Sequence, residues 1–232
     1  MNNIDYFENE YSEIWKKNTE EYGYSDYEAF VVNKIVEINP ESVFELGIGT
    51  GWPVAVSLKK AMPALKIGGC DIASSLVEMS RKNLPNDAEY IYRGTIDEYE
   101  SDIKWKLAYC FRTSWYISSF EKAICNMVNM IEADGYIIFD IMNSKDIYHY
   151  ITYIRESLEY LKRFLARIYH KIARKSDALR YTPRLRFYSL SKIDKILKKN
   201  NIDYIRISEK DIMKDVTFWE SPKVIYICHK RG

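Results

Sequence analysis

The chain has 232 residues, 47% hydrophobic and 29% charged, which is typical of a globular domain with a sizeable core. Its 34 basic and 33 acidic residues leave a formal net charge of +1, which disfavours a domain-wide attraction to nucleic acid. No apolar run reaches the roughly 18 residues that span a bilayer, and the acidic start MNNIDYFENEYSE is unlike a signal peptide, so we expect a cytoplasmic protein.

The four cysteines show no CxxC pairing and lie mostly in apolar stretches. We therefore expect buried, reduced thiols rather than a zinc site or a disulfide framework. No metal is expected. The cysteines are Cys70, Cys110, Cys125 and Cys228.

Hydrophobic spacing predicts alternating helices and strands over most of the chain. An N-terminal helical segment covers 5–16 and 26–38. Strands are predicted at 42–48, 65–71, 89–92, 107–111, 136–141, 203–207 and 223–230. Helices are predicted at 53–60, 74–83, 120–131 and 191–200. Serines cap the start of the second of these helices, at Ser74, and Ser191 caps the last one. The alternation predicts an α/β fold with a doubly wound, mostly parallel sheet.

A long apolar stripe interrupts this alternation over residues 146–175. Its isoleucines and leucines recur every three or four positions, which predicts one helix inserted after the fifth strand. Basic residues flank the stripe, whereas residues 1–30 are acidic. The helix could pack as a lid, form a homodimer interface, or lie on the inner face of a membrane as a peripheral contact.

The stretch VFELGIGTGW places glycines at 47, 49 and 51, directly after a predicted strand and before a predicted helix. This arrangement directs free helix N–H groups at an anion. The spacing does not fit a phosphate-binding P-loop, and Trp52 stands where a dinucleotide site needs its third glycine. S-adenosylmethionine fits better, because Glu45 could balance its ammonium group while the turn receives its carboxylate.

Asp71 supplies a second half for this pocket, at the end of the next predicted strand. From there its carboxylate could accept hydrogen bonds from two ribose hydroxyls. Ile72 could lie against the adenine ring. Cofactors of both types need such an acid, so it is the pairing of Glu45 with GxGxG that favours S-adenosylmethionine.

These residues resemble the motifs of the class I S-adenosylmethionine-dependent methyltransferases, in particular their small-molecule members. VFELGIGTG is similar to the first motif, IGGCDIASSLVEMSRKN to the second, and ADGYIIFDIMN to the fifth strand with its preceding turn. RFYSLSKIDKILKKNNIDYIRIS is similar to the family's late helix and strand. The resemblance covers roughly residues 40–143 and 184–230 and implies a Rossmann-like, seven-stranded sheet with helices on both faces.

The resemblance also implies which residues bind the cofactor. The expected set is Glu45, Gly47, Ile48, Gly49, Gly51, Trp52, Asp71, Ile72, Thr95, Ile96 and Arg112. Thr95 and Arg112 depart from the family pattern. Thr95 stands where an acid commonly contacts the adenine amino group, and Arg112 stands near the methyl group, where a cation would sit beside a sulfonium unless it turned outward toward an anionic substrate.

Catalytic and substrate-binding residues are weaker predictions. His149 could act as a general base and Tyr116 could contact the active site, although a surface residue and a core residue fit equally. Methyl transfer can depend largely on in-line positioning, so a general base is optional. Tyr11 and Trp15 could cover the cofactor or pack on a helix, and Arg184 and Arg186 could hold a phosphate or carboxylate.

The sequence therefore predicts a single domain over 1–232, with an N-terminal cap at 1–39, a cofactor-binding core at 40–143, a helical insertion at 144–183 and a C-terminal part at 184–232. The expected reaction is methyl transfer from S-adenosylmethionine to an oxygen or nitrogen of a polar small molecule, such as a sugar or another biosynthetic intermediate. Two alternatives stay open: an RNA or protein methyltransferase that uses the basic helix, and a non-catalytic cofactor-binding partner or regulatory subunit.

Overall fold

A computed structural model describes residues 24–95, 103–144, 185–213 and 223–231, together with residues 7–8, 12–13 and 158. Seven strands in these ranges form one sheet. The strands are β1 Ser42–Leu46, β2 Lys66–Asp71, β3 Ile91–Arg93, β4 Trp105–Cys110, β5 Ile131–Met142, β6 Ile202–Ser208 and β7 Lys223–Lys230. The α-helices within the same ranges are α1 Asp26–Ile38, α2 Val54–Ala61, α3 Ser74–Asn83, α4 Phe120–Met130, α5 Leu190–Lys199 and α6 Glu209–Ile212.

The strands lie in the order β3-β2-β1-β4-β5-β7-β6. Strands β1 to β5 are parallel to one another, and β7 runs antiparallel between β5 and β6. The order reverses between β1 and β4, so this is the position where an open parallel sheet places its ligands, at the carboxyl ends of the strands. The predicted α/β fold with a mostly parallel seven-stranded sheet is confirmed.

Helices cover both faces of the sheet, as the nearly continuous buried residues of β1, β2 and β4 require. Tyr27 and Ile35 of α1 pack with Leu58 of α2 on one face. Phe120 of α4 and Leu197 of α5 pack on the other. The sheet therefore lies between two helical layers, and polar groups are expected at the carboxyl ends of its strands.

Several element boundaries differ from the sequence-based predictions. β1 ends at Leu46, because Gly47 already has a left-handed backbone with φ of 85°. A 3₁₀ turn over Pro85–Tyr90 delays β3 to Ile91. α5 begins at Leu190, so its N-cap is Ser189 and not Ser191, whose hydroxyl bonds that of Ser189 at 2.8 Å. Neighbouring serines offer the same cap chemistry, and tertiary packing decides between them.

β5 also differs from its prediction, since the expected glycine turn is part of the strand. Ile131 pairs with Trp105 and Tyr136 pairs with Leu107, so the residues between form a bulge. Asp134 adopts φ of 60° there, and a side chain at Gly135 would approach the Glu132 carbonyl oxygen to 2.9 Å. The glycine allows the bulge to close rather than ending the strand.

The helix predicted at 146–175 lies outside the described residues, apart from Leu158, which is helical and exposed. In the described part of the chain, no helix has both the length and the apolar character to cross a bilayer.

Candidate cofactor site

The turn after β1 depends on three glycines with left-handed backbone conformations. The φ values of Gly47, Gly49 and Gly51 are 85°, 56° and 78°, a region that residues with side chains adopt only at a cost. The N–H groups of Gly47 and Ile48 donate to the carbonyl oxygen of Cys70 at 2.8 and 3.0 Å. These bonds hold the turn against the end of β2.

Side chains from two other elements close in on this turn. A Cβ atom at Gly47 would lie 2.5 Å from Cγ2 of Thr113, which follows β4, and one at Gly51 would lie 3.2 Å from Oγ of Ser80 on α3. Ile48 is buried, and its Cδ1 atom would lie 2.7 Å from a Cβ atom at Gly69. The Ile48 side chain therefore packs in the core, beside Gly69 of β2.

Asp71 connects the glycine turn to the start of α3. One of its carboxylate oxygens accepts the Gly49 N–H at 3.0 Å, and the other accepts the Ala73 N–H at 3.0 Å. Burial raises the pKa of Asp71 even though these two bonds oppose the rise. Each oxygen keeps a further lone pair, so both could still accept a ribose hydroxyl.

Glu45 is buried beneath the turn, with 6% of its surface exposed. Its Oε2 atom accepts the hydroxyl of Tyr109 at 2.8 Å, and Tyr109 is its register partner on β4. Burial raises the pKa of Glu45 well above its usual value. The Tyr109 hydrogen bond partly offsets this rise, and the nearby charge of Asp71 adds to it. Sequence reasoning missed Tyr109, because the pairing depends on the β1–β4 register.

Two carboxylates contact Arg112, one at its main chain and one at its side chain. Its backbone has φ of 55°, and its N–H donates to Oδ1 of Asp140 at 2.8 Å. Its Nη2 atom lies 2.7 Å from Oε1 of the buried Glu28 on α1. Two sequence signals could have identified these partners. Asp140 is an acid inside the apolar run YIIFDIM, and Glu28 lies in the helix predicted at 26–38.

Two N-terminal residues contact elements on either side of the glycine turn. The Glu8 carboxylate accepts the Ser74 N–H at 2.8 Å and also its hydroxyl, at the start of α3. The Phe7 ring meets the Tyr116 ring edge-on after β4, with centroids 5.4 Å apart. The predicted serine cap is thus replaced: Ser74 is a donor to Glu8, and the N-cap of α3 is Ala73.

Ser74 lies beyond β2 and Tyr116 beyond β4, with β1 between them. Adjacent residues 7 and 8 therefore bridge the edge of the sheet where the cofactor is expected. Burial raises the pKa of Glu8, but the hydrogen bonds from Ser74 and the charge of Arg93 outweigh this effect, so the pKa lies below its usual value. Glu8 therefore acts as an anion at a helix N-terminus, which is a favourable position for it.

The other predicted site residues lie around this centre or outside the described residues. The Trp52 ring packs along α2, with Nζ of Lys60 5.4 Å from its centroid. Thr95 is half-buried and follows Gly94, whose N–H donates to the Asp71 carbonyl oxygen at 2.9 Å. Ile72 directly follows Asp71, and the exposed Arg186 donates its N–H to the Trp115 carbonyl oxygen at 3.0 Å. Residues outside the described ranges are Tyr11, Trp15, Ile96, His149 and Arg184.

The four cysteines are free thiols. Cys70, Cys110 and Cys228 are buried free thiols, and Cys125 is partly exposed. Within the described ranges, no group of three or more His, Cys, Asp or Glu side chains is placed to hold a metal ion.

Comparison with known proteins identifies the fold. The chain resembles the crystal structure of a Synechocystis PCC 6803 magnesium protoporphyrin IX methyltransferase with bound S-adenosylhomocysteine, with a TM-score of 0.65 and 15% identity over 98% of this chain and 97% of that one. A Thermotoga maritima S-adenosylmethionine-dependent methyltransferase, described as a possible histamine N-methyltransferase, gives a TM-score of 0.58 and 18% identity over 96% of both chains. The fold is that of the class I S-adenosylmethionine-dependent methyltransferases, which confirms the resemblance stated from the motifs.

A local sequence similarity agrees with the fold. A demethylmenaquinone methyltransferase from Thermotoga maritima is 46% identical over 61 residues, which is 26% of this chain and 26% of that protein. The chain therefore matches about a quarter of the length of this curated relative. No family model matches the chain.

Proposed function

We propose that the protein transfers the methyl group of S-adenosylmethionine to an oxygen or nitrogen atom of a polar small molecule. The observation that carries this proposal is the hydrogen bond from Gly49 N–H to Asp71, at 3.0 Å. It joins the glycine turn to the second acid at the reversal point of the sheet. In the proposal, Asp71 holds the ribose, the turn faces the amino-acid end, and Glu45 supports the turn from below.

The chemistry requires little beyond binding and alignment. Methyl transfer from a sulfonium is an in-line displacement, in which the acceptor lone pair forms a bond to the methyl carbon while the carbon–sulfur bond breaks and the thioether leaves. Correct placement of the two partners can supply much of the rate. The N-terminal residues Phe7 and Glu8, which bridge the site, support a covered pocket that excludes water.

The formal net charge of +1 favours a small-molecule acceptor over a nucleic acid. The RNA or protein methyltransferase hypothesis depended on the basic residues of 146–175, which lie outside the described residues. The hypothesis of a non-catalytic binding protein depended on Thr95 and Arg112. The Glu28–Arg112 ion pair weakens it, because a compensated arginine is no obstacle to a cationic cofactor.

Isothermal titration with S-adenosylmethionine and S-adenosylhomocysteine tests the cofactor part. We expect both to bind the wild type, and Asp71→Asn to weaken both at least tenfold, since one charged hydrogen-bond acceptor is lost. Asp203→Asn is the matched control, because Asp203 is an exposed acid paired with Arg231 on the distant edge strand. Absence of binding to the wild type would contradict the proposal, and release of the thioether product in an acceptor screen would establish turnover.

A further inference from the structure

A cluster of charged side chains lies beneath the carboxyl edge of the sheet, beside the candidate cofactor site. It has three buried carboxylates, on α1, β5 and α6, and two cations, after β4 and on β7. We call it the charged cluster; its members are Glu28, Asp140, Glu209, Arg112 and Lys223. Glu28, Asp140 and Glu209 are 3%, 0% and 4% exposed, so their charges are poorly screened by water.

The cluster divides into two groups. Nζ of Lys223 lies 3.0 Å from Oε1 of Glu209, which makes a neutral pair. Arg112 instead has two acids, Glu28 at its guanidinium and Asp140 at its backbone N–H. One cation against two carboxylates leaves this second group with a net negative charge when both acids are ionised.

Glu28 is fixed at both of its oxygens. Oε1 receives Nη2 of Arg112 at 2.7 Å, and Oε2 accepts the Ser25 N–H at 3.1 Å. The guanidinium stacks near the Tyr27 and Phe111 rings, 5.8 and 5.9 Å from their centroids. In the described part of the chain its Nε atom is buried without a hydrogen-bond partner, so Glu28 is the acid that compensates the guanidinium directly.

This group is close to the glycine turn. Thr113, the residue after Arg112, would contact a side chain at Gly47, and β1 and β4 are hydrogen-bonded neighbours. Neighbouring strands lie about 4.8 Å apart. An uncompensated Arg112 would therefore lie within roughly 10 Å of a cofactor seated on the turn, where it would oppose the positive sulfonium and leave a neutral thioether unaffected.

We propose that Glu28 and Asp140 compensate the charge of Arg112 and thereby set the preference of the site for the cationic methyl donor over its neutral product. The inference rests on the proposed function, because it concerns the same cofactor. Both acids act through Arg112 and are positioning residues. Their role is to keep the product from outcompeting the donor, since the two ligands differ mainly in the sulfonium charge.

The test measures the dissociation constants of S-adenosylmethionine and S-adenosylhomocysteine by titration, and compares their ratio between variants. Glu28→Gln removes one negative charge with little change in shape. We expect the preference for the methyl donor to fall about tenfold, the effect of a unit charge at roughly 10 Å with an effective dielectric constant near 20. The matched control is Glu37→Gln, which removes an exposed acid at the other end of the same helix.

A double variant separates charge compensation from a structural role. Glu28→Gln combined with Arg112→Gln removes the cation together with its partner, so the ratio should return to within about threefold of the wild-type value. If Glu28→Gln weakens both ligands equally, or if the double variant shows no recovery, the inference is wrong. If the wild type binds neither ligand, the proposed function fails instead, so the two failures are distinguishable.

Asp140→Asn tests the second acid, and it retains an oxygen to accept the Arg112 N–H. The groups that face Asp140 are Tyr27 on α1, Arg112, Lys223 on β7 and Glu209 on α6. Burial raises the pKa of Asp140 to about 7, against the opposing effects of Lys223 and Arg112. The variant should therefore lower the preference several-fold at pH 8 and change it little at pH 6. Equal ratios in variant and wild type at pH 8 would remove Asp140 from the inference.

Discussion

Gly47 and Gly51 both adopt left-handed backbone conformations, but only Gly47 also lacks room for a side chain. Its φ is 85°, and a Cβ atom there would lie 2.5 and 2.6 Å from Cγ2 and Oγ1 of Thr113. Gly51 has φ of 78°, and its nearest contact would be Oγ of Ser80 at 3.2 Å. A side chain would therefore cause backbone strain at both positions, but severe steric overlap only at Gly47.

We predict that Gly47→Ala lowers the free energy of unfolding by about 2 to 4 kcal/mol, and Gly51→Ala by about 1 to 2 kcal/mol. Both variants carry the left-handed cost of roughly 1 to 2 kcal/mol, and Gly47→Ala adds overlap with Thr113. Urea unfolding measures the difference. Combining Gly47→Ala with Thr113→Ala removes the two closest atoms and should recover part of the loss; equal losses at both glycines would contradict the steric explanation.

At the scale of elements, the sequence predicted most strands and helices because their apolar periodicity is local. The boundaries that were wrong depend on distant partners. Ser189 and Ser191 offer the same cap chemistry, and only the packing of α5 chooses between them. The bulge in β5 depends on the Trp105 to Ile131 pairing, which the local sequence of β5 does not contain.

In the candidate site, too, local sequence identified some residues and tertiary contacts determined the others. Glu45, Asp71 and the glycines were identifiable because motif spacing places them at consecutive strand ends. Their partners were not, since Tyr109 reaches Glu45 only through the β1–β4 register. Likewise Glu28 meets Arg112 only because α1 packs over the end of β4. Sequence patterns therefore give the candidate ligand-binding residues, and the tertiary structure gives the residues that contact them.

The N-terminal contacts make a prediction about cofactor release. Phe7 and Glu8 bridge the two sides of the glycine turn, so a cofactor seated below them must wait for these contacts to break. We predict that Phe7→Ala with Glu8→Gln raises the dissociation rate of S-adenosylhomocysteine several-fold while changing its association rate less. Stopped-flow displacement measures the rate. Glu132→Gln, an exposed acid on the β5 bulge, is the control, and an unchanged dissociation rate would contradict a bridging role.

At the scale of the whole molecule, three acids lie in neighbouring parts of the sheet, where Glu45 and Asp140 are buried and Asp71 is half-buried. Burial raises the pKa values of Glu45, Asp71 and Asp140, which lie at the ends of β1 and β2 and within β5. Three carboxylates held above their usual pKa oppose folding when they ionise. A ligand with positive charge would relieve part of this cost, which agrees with the proposed binding of a sulfonium and an ammonium group.

Asp140 links this arrangement to global stability, because it contacts the loop after β4 and lies beneath α1. Its pKa is raised from 3.8 to about 7, so the folded state binds this proton more tightly than the unfolded chain does. The contribution is therefore present in full below pH 3.8 and is lost as pH rises through about 7. Within that window the slope approaches about 1.4 kcal/mol per pH unit.

We therefore predict that the wild type loses stability relative to Asp140→Asn as pH rises from 5 to 8, when both are unfolded by urea at each pH. The variant keeps the acceptor for Arg112 but has no proton to release, so its stability relative to the wild type should climb with pH. Asp203→Asn provides the contrast, because the hydrogen bond from Arg231 lowers the pKa of Asp203 and leaves it ionised throughout this range. A constant difference between wild type and Asp140→Asn would show that Asp140 ionises at an ordinary pKa, despite its complete burial among the strands.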